Sequence, residues 1–231
     1  GFIRFTLPLF PLGTDYFGHV VYLFALLSIL YASLTTIRQS DLKKIIAYSS
    51  IAHMNLIVLG LFSGSFQGID GAIYLMIGHG VVSAALFFCV GVLYDRYHTR
   101  AIKHYSGLVQ SMPLFAIAFF LFTLGNMGFP GTSNFIGEFL IMVGIFSKNM
   151  FILVLATSTI VLGAAYSVWL YNRVAFGTGK ITEYSDLNNV ELLILGILIF
   201  TMIILGGQTE NVTDITTVAI KKVIHLAQFK N

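Results

Sequence analysis

The sequence is short of charged residues and of cysteine, and each shortage excludes a class of function. Of the 231 residues, 10% are charged and 57% are hydrophobic, which departs from a soluble domain in both respects. The formal charge of +3 is carried by scattered residues, so a nucleic-acid partner is excluded. Cys89 is the only cysteine, which excludes an intrachain disulfide, a CxxC motif and an iron–sulfur cluster ligated by this chain's own cysteines. Electron carriers are therefore expected in other proteins.

Long apolar runs indicate a membrane protein. The runs 20–37 and 151–168 each approach the ~20 apolar residues that a helix needs to cross a bilayer. The alternation typical of a β-barrel is absent, so helices are the predicted spanning elements. We predict an all-α, polytopic fold with about six transmembrane helices, one of them discontinuous. The predicted spans are 19–37, 45–62, 69–94, 113–147, 151–173 and 190–206.

The two ends of the chain read differently from these spans. Residues 1–18 contain LPLFPLGTD and are predicted to form a loop or a short interfacial segment. The chain opens on Gly1 without a signal or transit peptide pattern, which suggests a start cut out of, or split from, something longer. Residues 207–231 form a predicted amphipathic tail with an interfacial helix. Its apolar positions are Ile215, Val218, Ala219, Val223, Ile224 and Ala227, opposite Lys221 and Lys222.

Basic residues are unevenly divided between the two sides of the predicted membrane. Six crossings leave only Arg4 and Lys148 among the short loops of one side. The positive-inside rule assigns the other side to the matrix or cytoplasm. The basic residues predicted there are Arg38, Lys43, Lys44, Arg96, Arg100, Lys103, Arg173 and Lys180.

Three ionisable residues fall near the middle of predicted spans. His53, His79 and Glu138 all lie at similar depth, roughly 12–15 Å from a helix end at 1.5 Å rise per residue. Each costs about 2.5–3.5 kcal/mol to insert, so each is a functional hypothesis by default. A histidine, or a carboxyl group whose pKa is raised by burial, changes charge near neutral pH and can pass protons through bridging water. The alternative is that each histidine is a core residue bonded to a neighbouring carbonyl.

Serine hydroxyls occupy helical positions near both histidines. Ser49 and Ser50 precede His53 by four and three residues, and Ser83 follows His79 by four. These spacings place each hydroxyl on the same helical face as its histidine. We therefore predict that these serines orient water beside the imidazoles.

The stretch GNMGFPGTSN interrupts the fourth predicted span. Gly125, Gly128, Pro130 and Gly131 cannot sustain a continuous helix, and unwound backbone at membrane depth is tolerated only inside protein or along a watered cavity. Thr132, Ser133 or Asn134 can cap the resumed helix, whose first turns carry positive dipole character near Glu138. The alternative is a proline kink that only shapes packing.

The remaining polar residues receive weaker assignments. Lys43 and Lys44 follow Asp41 at the basic end of the second span, and they fit snorkelling topology anchors as well as a role in proton entry or exit. Several aromatic residues are interpreted as interfacial or packing groups without chemistry. They are Tyr48, Tyr74, Tyr94, Tyr97 and Trp169.

Four segments carry a resemblance to a known family. They are SDLKKIIAYSSIAHMN (40–55), YLMIGHGVVSAALFFCVGVLYDRYHTR (74–100), FPGTSNFIGEF (129–139) and GAAYSVWLYNRVAFG (163–177). Together they resemble the C-terminal half of the mitochondrial NADH dehydrogenase subunit 4 family, the antiporter-like proton-pumping subunits of respiratory complex I. The resemblance covers nearly the whole chain and weakens after residue 178.

The resemblance implies a fold and roles for individual residues. The family fold has inverted five-helix repeats, each with a broken helix as its fourth member. Residues 19–173 would form the second repeat, with the broken helix at 113–147, followed by a loop and last span at 174–206. His53 and His79 match the family's central-axis histidines, and Glu138 matches the acid of its second broken helix. The homologous subunits 2 and 5 and many Mrp-type antiporter subunits typically carry lysine there.

The resemblance also implies function, cofactors and partners. It implies proton translocation by a non-redox subunit of NADH:ubiquinone reductase in the mitochondrial inner membrane, with the positive loops toward the matrix. FMN, iron–sulfur clusters and ubiquinone would belong to other subunits, and a bound phospholipid is left open. Expected partners are other membrane-arm subunits, including subunits 2 and 5, and a separate N-terminal half if the subunit is split. The alternatives are a structural scaffold without proton transfer and an Mrp-type cation/proton antiporter subunit.

Overall fold

The computed structural model describes residues 1–177 and 185–228, and these residues form a helical bundle. Short helical turns at Phe2–Thr6 and Leu7–Leu9 precede the bundle, and two more, Ile102–His104 and Leu108–Ser111, lie in a loop. The long helices are α1 (Pro11–Arg38), α2 (Leu42–Phe62), α3 (Phe66–Tyr97), α4 (Pro113–Asn126), α5 (Ser133–Phe146), α6 (Met150–Ala175), α7 (Asn189–Gly207) and α8 (Glu210–Gln228).

The predicted membrane-spanning fold is confirmed. Among the described residues, five helices are long and apolar enough to cross a membrane, namely α1, α2, α3, α6 and α7. The shorter apolar helices α4 and α5 follow each other in series and together make the predicted discontinuous span. The chain is thus a multi-pass, all-α membrane protein with one broken crossing.

The first span begins earlier than the sequence suggested. Helix α1 starts at Pro11, so the loop predicted over 1–18 is wrong from that residue onward. Proline is well tolerated in a first helical turn, because the backbone N–H that it lacks would have no intrahelical partner there. The Thr14 hydroxyl donates to the Pro11 carbonyl oxygen at 2.7 Å within the same turn.

The loop after α1 and the loop after α3 meet at one end of the bundle. Residues Asp41 and Ala101 form an isolated antiparallel bridge. Beside it, the backbone N–H of Leu42 donates to the carbonyl oxygen of Arg100 at 2.9 Å. The loop after α1 and the loop after α3 are therefore joined, and we call this end of the bundle the basic side. Lys180 lies outside the described residues.

Helix α3 lies at the centre of the bundle, between two hydrophobic clusters. The cluster toward the basic side includes Leu86 and Phe119, and the cluster toward the opposite side includes Leu56 and Ile141. Between the two clusters, the central turns of the spans carry polar side chains instead of apolar ones. A polar layer therefore crosses the interior of the bundle at the depth where His53 lies.

Glycines let α3 and α5 approach backbone to backbone. A Cβ atom at Gly137 would lie 2.6 Å from the backbone nitrogen of Leu75, and one at Gly71 would lie 2.7 Å from the backbone nitrogen of Ile141. Real Cβ atoms do not come this close to backbone atoms, so larger residues would push the two helices apart. This close packing fixes the second half of the broken span against the central helix.

The tail forms the predicted helix, and one of its faces packs against the protein. Ile220 is fully buried against the bundle, whereas Ile215 and Val218 are 79% and 75% exposed. The predicted apolar positions thus include residues that face away from the bundle, as in a helix that lies at a membrane interface. A polar contact also joins the tail to the bundle, where the Thr216 hydroxyl donates to Oδ1 of Asp70 in α3 at 2.7 Å. The side chain of Ala227 and residues 229–231 lie outside the described part of the chain.

Candidate functional site

The break in the fourth span lies where the sequence placed it. Helix α4 ends at Asn126 and α5 begins at Ser133. Gly128 and Gly131 adopt φ angles of 68° and 93°, which glycine accepts without the steric cost that other residues pay. Gly125 belongs to the last turn of α4 instead, and a Cβ atom there would lie 2.5 Å from the Met202 sulfur. The break therefore depends on Gly128, Pro130 and Gly131, while Gly125 makes room for α7.

The expected cap of the resumed helix is formed differently. Thr132 occupies the N-cap position, but its hydroxyl donates backward to the Phe129 carbonyl oxygen at 2.7 Å and does not bond α5. Ser133 and Asn134 are fully buried in the first turn of α5, with their side chains beside Gly78 of α3. The prediction that one of these three side chains caps α5 is wrong, because each is engaged elsewhere or points into the interior.

The Glu138 carboxylate reaches back from α5 into the break. A Cβ atom at Gly128 would lie only 2.5 Å from Oε2 of Glu138. Glycine is thus required twice at position 128, by its φ angle and by the space that the carboxylate occupies. Because Glu138 lies in the second turn of α5, the helix terminus acts on it less strongly than on a first-turn residue. The unwound backbone brings polar groups to this acid.

His53 lies directly beside this acid. Its Nδ1 atom is 3.3 Å from Oε1 of Glu138, and the two residues are only 2% and 4% exposed. The atoms are close enough for charge pairing, although they are not aligned as a hydrogen bond. The prediction that these two residues lie at one depth is confirmed by their contact. A buried imidazole and a buried carboxylate at this distance can share a single proton.

His79 extends the pair into a chain of three groups. Its ring centroid lies 5.0 Å from that of His53, and its Nε2 atom lies 3.1 Å from the Ser50 hydroxyl oxygen. Two positive charges about 5 Å apart repel by roughly 3 kcal/mol at an effective dielectric constant of about 20. Simultaneous protonation of both rings is therefore disfavoured.

Only one of the three predicted hydroxyl groups contacts a histidine. The Ser49 hydroxyl donates to the carbonyl oxygen of Ile46, and the Ser83 hydroxyl donates to that of Gly80. Serine commonly bonds the carbonyl one turn back in its own helix, which competes with contacts to other helices. Ser50 is the hydroxyl that contacts His79.

The structure adds three polar residues that the sequence did not indicate. Tyr166 of α6 is fully buried near the Glu138 carboxylate, and its hydroxyl has no hydrogen-bond partner in the described part of the protein. Next to it, the Ser167 hydroxyl oxygen accepts from Nδ2 of Asn126 at 3.1 Å. Asn126 is the last residue of α4 before the break. In the sequence, Tyr166 and Ser167 are isolated polar residues in an apolar span. Helical spacing does not connect them with Asn126, which lies 40 positions earlier.

Many polar atoms of this interior layer have no hydrogen-bond partner in the described part of the protein. Buried polar groups are normally satisfied by protein or by ordered water, and roomy polar interiors hold such water. The side chains that carry these atoms are His53, His79, Asn126, Ser133, Asn134, Thr159 and Tyr166. The layer is therefore chemically suited to hold water and to pass protons.

Lys43 and Lys44 lie apart from this layer. Both side chains are exposed at the start of α2, where their backbone N–H groups donate to Oδ1 of Asp41 at 2.9 and 3.3 Å. They are ten and nine residues before His53, which corresponds to about 14–15 Å along the helix. The structure does not bring them to the histidines.

A broken membrane helix beside a buried row of ionisable side chains is characteristic of ion-translocating proteins. The sequence matches the family described as NADH:quinone oxidoreductase/Mrp antiporter, TM, over residues 1–163. NADH-ubiquinone oxidoreductase chain 4 of Marchantia polymorpha is 51% identical over 232 residues, which cover 99% of this chain and 47% of that protein. NADH-quinone oxidoreductase subunit M of Rhodobacter capsulatus is 46% identical over 231 residues, which cover 99% of this chain and 44% of that protein.

A solved structure shows the same fold. One chain of respiratory complex I from Thermus thermophilus with bound NADH matches with a TM-score of 0.93 and 29% identity, over 98% of this chain and 48% of its own length. The chain therefore belongs to the NADH:quinone oxidoreductase/Mrp antiporter family, and the predicted resemblance to the C-terminal half of subunit 4 is confirmed. It spans about half the length of the relatives that it matches.

Proposed function

We propose that this chain carries protons across a membrane as part of the membrane arm of respiratory complex I. The observation that supports this most directly is the buried contact chain from His79 through His53 to Glu138, which ends at a broken helix. Other subunits would carry out NADH:ubiquinone oxidoreduction with FMN, iron–sulfur clusters and ubiquinone. This chain would be a non-redox subunit, since its single cysteine cannot ligate such a cluster alone.

The geometry suggests an order for the proton steps. A proton on His79 disfavours a second proton on His53, so the charge moves between the rings one proton at a time. From protonated His53, the Nδ1 proton passes to Oε1 of Glu138, which leaves a neutral imidazole and a neutral carboxylic acid. Low dielectric favours that neutral pair, while bridging water supports the charged one. Glu138 then acts as the switchable terminal acid of the row.

The proposed partners and location follow from the named relatives. We propose that the chain lies in the mitochondrial inner membrane with its basic side toward the matrix. Other membrane-arm subunits, including subunits 2 and 5, would lie beside it, and a separate N-terminal half would complete the subunit if the subunit is split. Lys43 and Lys44 would act on the basic side as topology anchors or at a proton entrance. Phospholipid is the ligand class proposed for the lipid-facing surface.

Glu138→Gln tests this function. Glutamine keeps the size and an oxygen acceptor beside Gly128, but it cannot bind or release a proton. In the assembled complex, purified and reconstituted in liposomes, we expect normal assembly and fewer protons moved per two electrons transferred from NADH to ubiquinone. Asp95→Asn is the matched control, because Asp95 is an exposed carboxylate on α3, and the ratio should stay at the wild-type value.

An unchanged ratio in Glu138→Gln would show that the chain acts as a scaffold without proton transfer. Sodium transport that persists in liposomes without NADH would instead favour the cation antiporter alternative. Blue native electrophoresis separates both results from a failure of assembly.

A further inference from the structure

A second buried carboxylate lies away from the histidine row. Asp70 of α3 is 5% exposed, and it and Glu138 are the two buried acids among the described residues. Asp70 lies in the second turn of α3, at the end of the bundle opposite the basic side. A buried carboxylate is costly unless it is paired or protonated, so it is a functional hypothesis by default. The described ion pairs do not include Asp70.

The polar neighbours of Asp70 are hydroxyl groups. The Thr216 hydroxyl of the tail helix α8 donates to Oδ1 of Asp70 at 2.7 Å. Tyr74, one turn further along α3, interacts electrostatically with the Asp70 carboxylate and is itself 1% exposed. Asp70 is therefore held by hydroxyl groups and not by a cationic side chain among the described residues.

Consecutive contacts connect the break at Glu138 with Asp70. The Glu138 carboxylate lies against Gly128, and Gly131 at the other end of the break packs its carbonyl oxygen against Gly206 of α7. The preceding residue of α7, Leu205, accepts a hydrogen bond at its carbonyl oxygen from the Tyr74 hydroxyl. These contacts lead from the polar groups of the break first to Tyr74 and then to Asp70. The direction is toward the side opposite the basic loops.

We propose that Asp70 accepts the proton that leaves Glu138 and delivers it to the side opposite the basic loops. The inference rests on the proton-carrying role of Glu138 proposed above. The Glu138 carboxylic acid gives its proton through bridging water to the Asp70 carboxylate, and it becomes a carboxylate ready for the next proton from His53. Asp70 then releases the proton to the aqueous phase beside α8.

Asp70→Asn removes the titratable group but keeps an oxygen that can accept from Thr216. Thr216→Val is the matched control, since it removes the donor of this hydrogen bond and leaves the carboxylate in place. In the reconstituted complex, we expect Asp70→Asn to cause the same loss of protons per two electrons as Glu138→Gln. Thr216→Val should keep the wild-type ratio. Proton leak through each proteoliposome preparation without NADH is measured as well, because a packing defect would raise the leak and a lost carrier would not.

The outcomes separate this inference from the function on which it rests. A wild-type ratio in Asp70→Asn together with a loss in Glu138→Gln overturns the role of Asp70 alone. A wild-type ratio in both variants overturns the proposed function. Equal losses in Asp70→Asn and Thr216→Val show that Asp70 only docks the tail. If Asp70→Asn does not assemble, Asp70→Glu and Asp70→Gln form a second pair of equal size, and equal ratios in that pair overturn the proposal.

Discussion

Nδ1 of His53 and Oε1 of Glu138 lie 3.3 Å apart, although 85 positions separate the two residues in the chain. The contact joins α2 to the second half of the broken span, within the polar layer between the two hydrophobic clusters. A lone charge at this depth would be strongly disfavoured, and the contact brings an imidazole and a carboxyl group within charge-pairing distance.

His53→Gln should interrupt the row at this contact. Glutamine stays neutral, so Glu138 loses its cationic neighbour and His79 loses the next acceptor. We expect normal electron transfer with a clear loss of protons per two electrons in reconstituted complex. His19→Gln is the control, because His19 is an exposed histidine in α1, and it should leave the ratio unchanged. A wild-type ratio in His53→Gln would support the interpretation of His53 as a packing residue.

Tyr166→Phe should slow proton transfer at Glu138 without disturbing the fold. The substitution removes one buried hydroxyl near the acid, a group that can hold water beside the carboxylate, and keeps the ring that fills the space. Loss of one such polar group typically costs about 1 kcal/mol, which corresponds to a several-fold slower step. The measurement is the initial rate of proton uptake at saturating NADH. Tyr31→Phe at an exposed position should have no effect, and equal rates in both variants would contradict a role for Tyr166.

Gly206→Ala should weaken the contact between α7 and the break. A Cβ atom at Gly206 would collide with the carbonyl group of Gly131, whereas one at Gly207 would meet open space. Overpacking of this kind costs roughly 1–3 kcal/mol. Thermal dissociation of the purified complex, followed by native electrophoresis, should therefore begin at a lower temperature for Gly206→Ala than for Gly207→Ala. Identical dissociation temperatures would mean that α7 moves aside without cost.

Glu191→Gln should loosen the attachment of α7 to α3. Arg96 donates to Oε1 and Oε2 of Glu191 at 3.1 and 2.7 Å, and it also donates to the carbonyl oxygens of Ser185 and Asp186. Removing the charge of one partner of this partly buried ion pair costs about 1–2 kcal/mol. Dissociation of the complex in detergent should accelerate accordingly. Lys43→Met, at an exposed lysine, is the control. It should change the stability of the complex by no more than about 0.5 kcal/mol relative to wild type. Equal dissociation rates would show that α7 is held by apolar packing.

Composition and periodicity were enough to predict the class of fold and the location of the helix break. A hydrocarbon environment forces the chain into helices of a minimum length, so apolar runs alone delimit the spans. Glycine and proline at 128–131 then identify the interruption, because no helix continues through them. The same reasoning gave His53, His79 and Glu138, since an ionisable residue in an apolar run is conspicuous. The sequence-based prediction was wrong at Pro11, where a helix begins instead of a loop. It was also wrong about the side-chain cap at the start of α5.

The sequence by itself determined which residues are costly to bury, and only the tertiary structure decided which of them meet. Contacts such as His53 with Glu138, or Thr216 with Asp70, depend on how helices rotate and approach one another, and glycines at 71 and 137 set that approach. Helical periodicity places residues on a face but does not specify the partner of that face. For this reason the sequence did not specify which face of the tail helix meets the bundle. Packing against Asp70 and the opposite end of the bundle selected the face with Thr216 and Ile220.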